Sequence, residues 1–85
     1  DQYEENLKST LQSIQELYDT MPDAINGMSG FHDAVKDFPG LQGNINKSKR
    51  ILDKQLEEFI FSLKGARNLT SEFINEIKYK LNRLN

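Results

Sequence analysis

The apolar residues of the first arm of the chain are spaced alternately four and three positions apart. They are Leu7, Leu11, Ile14, Tyr18, Met21, Ile25 and Met28, with Leu17 widening the stripe. This spacing is typical of an α-helix that buries one face. Pro22 lies within this first arm, residues 1–28, and a proline removes one helical hydrogen bond. The arm is therefore either one helix kinked at Pro22 or two helices, and we favour a split with Thr20 and Asp23 capping the second helix.

Turn-forming residue pairs are concentrated between positions 26 and 44. They are Asn26-Gly27, Ser29-Gly30, Pro39-Gly40 and Gly43-Asn44. Apolar residues with helical spacing lie between these pairs: Phe31, Ala34, Val35 and Phe38. Ser29 is a suitable N-cap for a short helix. The pattern predicts a connector over residues 29–44 that contains one or two helical turns.

The longest periodic segment covers residues 45–84. Its stripe consists of Leu52, Leu56, Phe59, Leu63, Ala66, Thr70, Phe73, Ile77 and Leu84, broadened by Ile60, Ile74 and Leu81. The phase of the pattern is unchanged across Gly65, so we predict one long coiled-coil helix. The sequence as a whole predicts a single helical domain over residues 1–85. Its fold class is all-α, either an antiparallel helical hairpin or a small helical bundle.

Charge differs between the two halves of the chain. Residues 1–43 contain eight acidic and two basic side chains, whereas residues 44–85 contain nine basic and five acidic ones. An antiparallel hairpin brings the acidic start of the first arm close to Lys78, Lys80 and Arg83. Exposed ion pairs contribute less than about 1 kcal/mol each, but their pattern favours the antiparallel orientation over the parallel one.

The sequence contains few of the residues that catalysis requires. It has no cysteine and one histidine, His32, which lies beside Asp33 in the connector. No second histidine or cysteine is present to complete a catalytic triad or a typical zinc site. Phosphate-binding glycine loops and serine-nucleophile motifs are also missing. We therefore expect a protein that is not an enzyme and that has no cofactor and no metal site.

Four apolar residues of the long segment lie outside its main stripe. At about 100° per residue, Phe61 and Tyr79 project opposite the stripe, and Ile51 and Leu69 project between that edge and the stripe. One such residue is an ordinary exposed side chain. Four on one helix predict a second contact surface, so we expect a protein partner. This chain would then be a coiled-coil subunit or fragment that forms homo-oligomers or docks into a larger complex.

The basic residues Lys47, Lys49, Arg50 and Lys54 form a cluster at the start of the long helix. Positive charge at the start of a helix is unfavourable because of the helix dipole, which favours a functional reason for the cluster. Contact with phosphate on a membrane surface is therefore an alternative function. Nucleic acid fits less well, because the net charge is −2 and no aromatic residue interleaves the cluster. A helical ligand-binding module of a receptor is a further alternative. We expect a cytoplasmic location, with secretion as the alternative.

Overall fold

The chain folds into two long helices in the computed structural model, which describes residues 1–84. Helix α1 spans Gln2–Asp37 and helix α2 spans Gly43–Leu84, and residues 38–42 join them. Neither strand nor third helix occurs within these residues. The end of the chain packs with its beginning, and the middle segments on either side of the loop pack together. The predicted all-α antiparallel helical hairpin is therefore confirmed.

Local interactions define where each helix begins and ends. Asp1 caps α1, because its Oδ1 accepts a 2.8 Å hydrogen bond from the Glu4 backbone N–H. At the other end of α1, Pro39 disfavours helical geometry at the preceding residue. Gly40 and Gly43 have φ values of 79° and 63°, in the left-handed region that favours glycine. These two glycines let the chain reverse direction within a short loop.

The packing divides the chain into two compact units, which we describe separately. Unit 1 comprises residues 1–22 and 65–85, and unit 2 comprises residues 23–64. In unit 1 the buried apolar side chains are Ile74 and Ile77, and in unit 2 the buried one is Leu56. The other residues at the helix–helix contact are half-buried. Each two-helix unit therefore shields little of its apolar surface from water.

Helix α1 is continuous, which corrects the predicted split near Pro22 and the predicted connector over residues 29–44. Pro22 lies inside α1, and helical backbone continues through Gly27 and Gly30 to Asp37. The half-buried positions keep their alternating spacing of three and four along the whole helix: 4, 7, 11, 14, 18, 21, 25, 28, 32 and 35. Packing along this uninterrupted stripe outweighs the low helix propensity of the glycines and the proline, since tertiary contacts supply most helical stability in proteins.

The buried face of α2 is displaced by one position from the predicted stripe. The contact with α1 runs through Asp53, Leu56, Ile60, Leu63, Arg67, Thr70, Ile74, Ile77 and Leu81, all of which are buried or half-buried. Leu52, Phe59 and Phe73 of the predicted stripe are instead 38%, 51% and 54% exposed. The apolar stripe is wider than one opposing helix can cover. Helix α1 covers the edge that contains Ile60 and Ile74 and leaves the edge with Leu52, Phe59 and Phe73 exposed. We refer to the α1–α2 contact as the seam.

Two glycine-to-alanine substitutions should change stability in opposite directions. Gly65→Ala places a methyl group in a helix interior, where no atom lies within 4 Å of it, and should raise the free energy of unfolding by about 1 kcal/mol. A methyl group at Gly40 also meets open space, but the φ of 79° at this position is unfavourable for an L-residue. Gly40→Ala should therefore lower the free energy of unfolding by about 1–2 kcal/mol. Urea unfolding followed by circular dichroism measures both changes. A gain from Gly40→Ala would contradict the loop geometry.

Candidate interaction surface

The five phenylalanine side chains of this protein are all at least half exposed. Their exposed fractions are 50% for Phe31, 56% for Phe38, 51% for Phe59, 81% for Phe61 and 54% for Phe73. Phenylalanine is among the residue types most often buried in folded proteins. The exposed rings mark the surfaces on which a candidate functional site is to be sought.

Unit 2 contains an apolar groove beside the loop, which we call the loop groove. It is lined by both helices and the loop between them: Phe31, Ala34, Val35, Phe38, Leu41, Ile45, Ser48, Lys49 and Leu52. The one charged side chain in this lining is Lys49, and its Nζ donates a 2.7 Å hydrogen bond to the Phe38 carbonyl oxygen. The lining is otherwise apolar except for one serine hydroxyl, so the loop groove favours an apolar occupant.

Unit 1 contains a second groove, which we call the terminal groove. It is lined by Ile14, Leu17, Met21, Leu69, Thr70 and Phe73. No lining residue is charged, and Leu17 and Leu69 are 63% and 67% exposed. The one polar group, the Thr70 hydroxyl, donates a 2.7 Å hydrogen bond to the Ala66 carbonyl oxygen. The terminal groove therefore presents aliphatic and aromatic surface with its polar group already satisfied.

Both grooves include residues from two rows in the sequence, and the members of each row are spaced seven positions apart. The row on α2 is Ile45, Leu52, Phe59, Ala66 and Phe73, and the row from the first half of the chain is Leu17, Ala24, Phe31 and Phe38. A spacing of seven keeps residues on one face of a coiled-coil helix. Each row lies directly beside the seam. The heptad repeat in α2 was therefore visible in the sequence, but it could not show which edge of the stripe α1 would leave uncovered.

The four residues predicted to form a second contact surface are all exposed. The exposed fractions are 55% for Ile51, 81% for Phe61, 67% for Leu69 and 54% for Tyr79. Leu69 lines the terminal groove, whereas Phe61 adjoins a more polar depression that includes Lys64. The Tyr79 hydroxyl accepts a 2.7 Å hydrogen bond from Arg83 Nη1. These four residues remain a predicted contact surface.

The basic cluster at the start of α2 is divided between two environments. Lys49 is half-buried and caps the carbonyl end of α1 through Phe38. Lys47, Arg50 and Lys54 are exposed, and none of them forms an ion pair within residues 1–84. A cation at a helix C-terminus is favourable because of the helix dipole. Lys49 therefore has a structural partner, and three side chains of the cluster point into solvent.

A polar cluster interrupts the seam of unit 2. His32 Nε2 lies 2.8 Å from Asp53 Oδ1 and 3.4 Å from Glu57 Oε1. The His32 side chain is 13% exposed, and its Nε2 and Asp53 Oδ1 are shielded from solvent. Despite this short N···O distance, neither atom forms a hydrogen bond. The sequence did not predict this cluster, because only Asp33 lies next to His32 along the chain. In the structure, Asp33 Oδ1 is 3.9 Å from Nδ1 of His32.

Comparison with other proteins assigns neither a family nor a function to this chain. No protein-family model, curated protein or solved structure matches this chain. Within residues 1–84, neither α1 nor α2 has an apolar stretch long enough to cross a bilayer.

Proposed function

We propose that this protein is a non-enzymatic assembly element that buries its two grooves against a second copy of itself. The observation that carries this proposal is the exposure of all five phenylalanines, three of which line the two grooves. Burying apolar surface of this kind stabilises an associated state by about 25 cal/mol per Å² removed from water. The grooves therefore supply the driving force for association.

The small core of the hairpin makes association more favourable. Leu56, Ile74 and Ile77 are the buried apolar side chains among the described residues. Domains below about 70–80 residues rarely gain more than about 3–5 kcal/mol from one core, and oligomerisation is a usual remedy. At 85 residues in two thinly packed units, this chain is close to that limit. A second layer of helices would bury the phenylalanines that line the grooves and complete the core of each unit.

The heptad rows indicate the kind of occupant that the grooves fit. Residues spaced by seven on two neighbouring helices form the lining into which the side chains of another amphipathic helix insert. The rows of this chain are themselves such side chains. A two-fold arrangement, in which each copy fills the grooves of the other, turns each two-helix unit into four helices.

Charge favours a second copy as the occupant. The first half of the chain is acidic and the second half is basic. In a two-fold arrangement that sets α1 of one copy along α2 of the other, helices of opposite charge become neighbours. The groove linings do not oppose this approach, because their one charged residue, Lys49, is bonded to the Phe38 carbonyl. Self-association therefore brings together complementary charge as well as apolar surface.

The test is the mass of the chain in solution. We expect sedimentation equilibrium to show a species of at least twice the 9.8 kDa chain mass that dissociates on dilution. Binding to a different helical protein, with no self-association, would assign the grooves to another occupant. A chain that remains monomeric at millimolar concentration would overturn the proposal.

A further inference from the structure

We propose that His32, Asp53 and Glu57 form a binding site for one Zn²⁺ ion in unit 2. His32 belongs to α1, whereas Asp53 and Glu57 lie one turn apart on α2 and project from the same face. One imidazole nitrogen and one oxygen from each carboxylate lie within 4.8 Å of one another. The loop of the hairpin brings these three ligand atoms together from distant positions in the sequence.

Two of the three separations between the ligand atoms are close to those around a single ion. Ligands about 2.1 Å from a zinc ion are separated from each other by about 3.0 Å in octahedral and about 3.4 Å in tetrahedral geometry. The observed separations of 2.8 Å and 3.4 Å from His32 Nε2 fall close to these values.

The orientation of the atoms also favours an ion over a direct hydrogen bond. His32 Nε2 and Asp53 Oδ1 are 2.8 Å apart and shielded from solvent, yet they form no hydrogen bond with each other. Buried polar atoms without a partner are rare in folded proteins. Two ligands of one ion direct their lone pairs at the ion and not at each other. A metal ion therefore accounts for both the short distance and the absence of a hydrogen bond.

The chemistry of the ligands selects zinc over the common hard cations. Imidazole nitrogen binds Zn²⁺ and other later first-row divalent ions, whereas Mg²⁺ and Ca²⁺ prefer oxygen alone. The two carboxylates offset the charge of the ion. A depression lined by Ser29, Phe61 and Lys64 adjoins His32 and Glu57 and leaves room for a water as fourth ligand. The site lines neither groove, so it does not depend on self-association.

The chain contains one histidine and no cysteine, which makes the test unusually specific. We expect the tag-free chain to bind one Zn²⁺ per molecule in isothermal titration calorimetry and not to bind Mg²⁺. In a ¹H–¹⁵N spectrum of the imidazole, zinc should shift the Nε2 signal of this single histidine. A metal that joins α1 to α2 should also raise the thermal midpoint of the chain.

Substitutions of the three ligands define the site. His32→Gln should abolish measurable binding, and Asp53→Asn and Glu57→Gln should each weaken it at least about 10- to 100-fold, which is the cost of losing even an outer-shell partner. Glu58→Gln is the matched control, because it removes the same charge next to Glu57 but outside the cluster, and it should leave affinity unchanged.

Three results would overturn the zinc proposal. They are no binding at millimolar Zn²⁺, an affinity that His32→Gln does not change, and equal losses from Glu57→Gln and Glu58→Gln. The imidazole spectrum of the unmodified chain decides the question even if a variant does not fold. Because a monomeric chain can still bind zinc, failure of this proposal is distinguishable from failure of the assembly proposal.

Discussion

Replacing Phe31 and Phe73 by glutamate is expected to make the associated protein monomeric while preserving its helices. Phe31 lines the loop groove and Phe73 lines the terminal groove, and each is about half exposed in the single chain. Fully burying a phenylalanine contributes about 1.5–3 kcal/mol, so burying the exposed half contributes about half of this, and its loss weakens association about 4- to 13-fold per site. A carboxylate in the same place adds a desolvation cost. Sedimentation equilibrium and circular dichroism measure the two properties together.

Phe61→Glu is the matched control for that experiment. Phe61 is the most exposed phenylalanine and lines neither groove, so its substitution should leave association intact. Sequence analysis alone leads to the opposite expectation, because it places Phe61 at the interface. Dissociation caused by Phe61→Glu, with association retained in the Phe31 and Phe73 variants, would move the interface to that face of α2.

Truncating Ile77 is expected to have the largest effect on folding. Ile77 is 4% exposed and is one of the few buried apolar side chains of unit 1. Isoleucine-to-alanine substitutions in cores cost about 2–5 kcal/mol. The total stability of a natural domain is about 5–15 kcal/mol, and a core this small places the chain near the lower end. We expect Ile77→Ala to be largely unfolded at 37 °C, as measured by thermal and urea denaturation at one fixed protein concentration.

Ile51→Ala removes the same atoms from the same helix and serves as its control. Ile51 is 55% exposed and lines neither groove. Exposed substitutions of this kind change stability by less than about 0.5 kcal/mol. Equal destabilisation by the two variants would show that Ile51 is covered, and would contradict the assignment of the seam.

The helical periodicity of the sequence was sufficient to predict the two antiparallel helices, but not the extent of α1. Pro22, Gly27 and Gly30 are local signals for breaks, and the energy that overrides them comes from packing against α2. That packing depends on residues far away in the sequence. Local propensity therefore predicted a boundary where the structure has continuous helix.

The register of the seam could not be predicted from the sequence for a related reason. Leu52 and Phe59 are as apolar as Leu56 and Ile60, so the pattern alone could not show which edge of the stripe α1 covers. The half-buried Asp53 belongs to the seam because His32 opposes it. A polar pairing across the hairpin becomes visible only when the loop length and the alignment of the two helices are known.

The seam of each unit contains a polar layer that helps to fix the alignment of its two helices. In unit 1, the Arg67 guanidinium lies 4.5 Å from the centre of the Tyr18 ring, and in unit 2 His32 opposes Asp53. The two layers are two heptads apart on both helices. Sliding one helix by a heptad would bury His32 or Arg67 against aliphatic side chains. Within each unit, a register shift of seven residues would therefore separate the two partners of its polar layer.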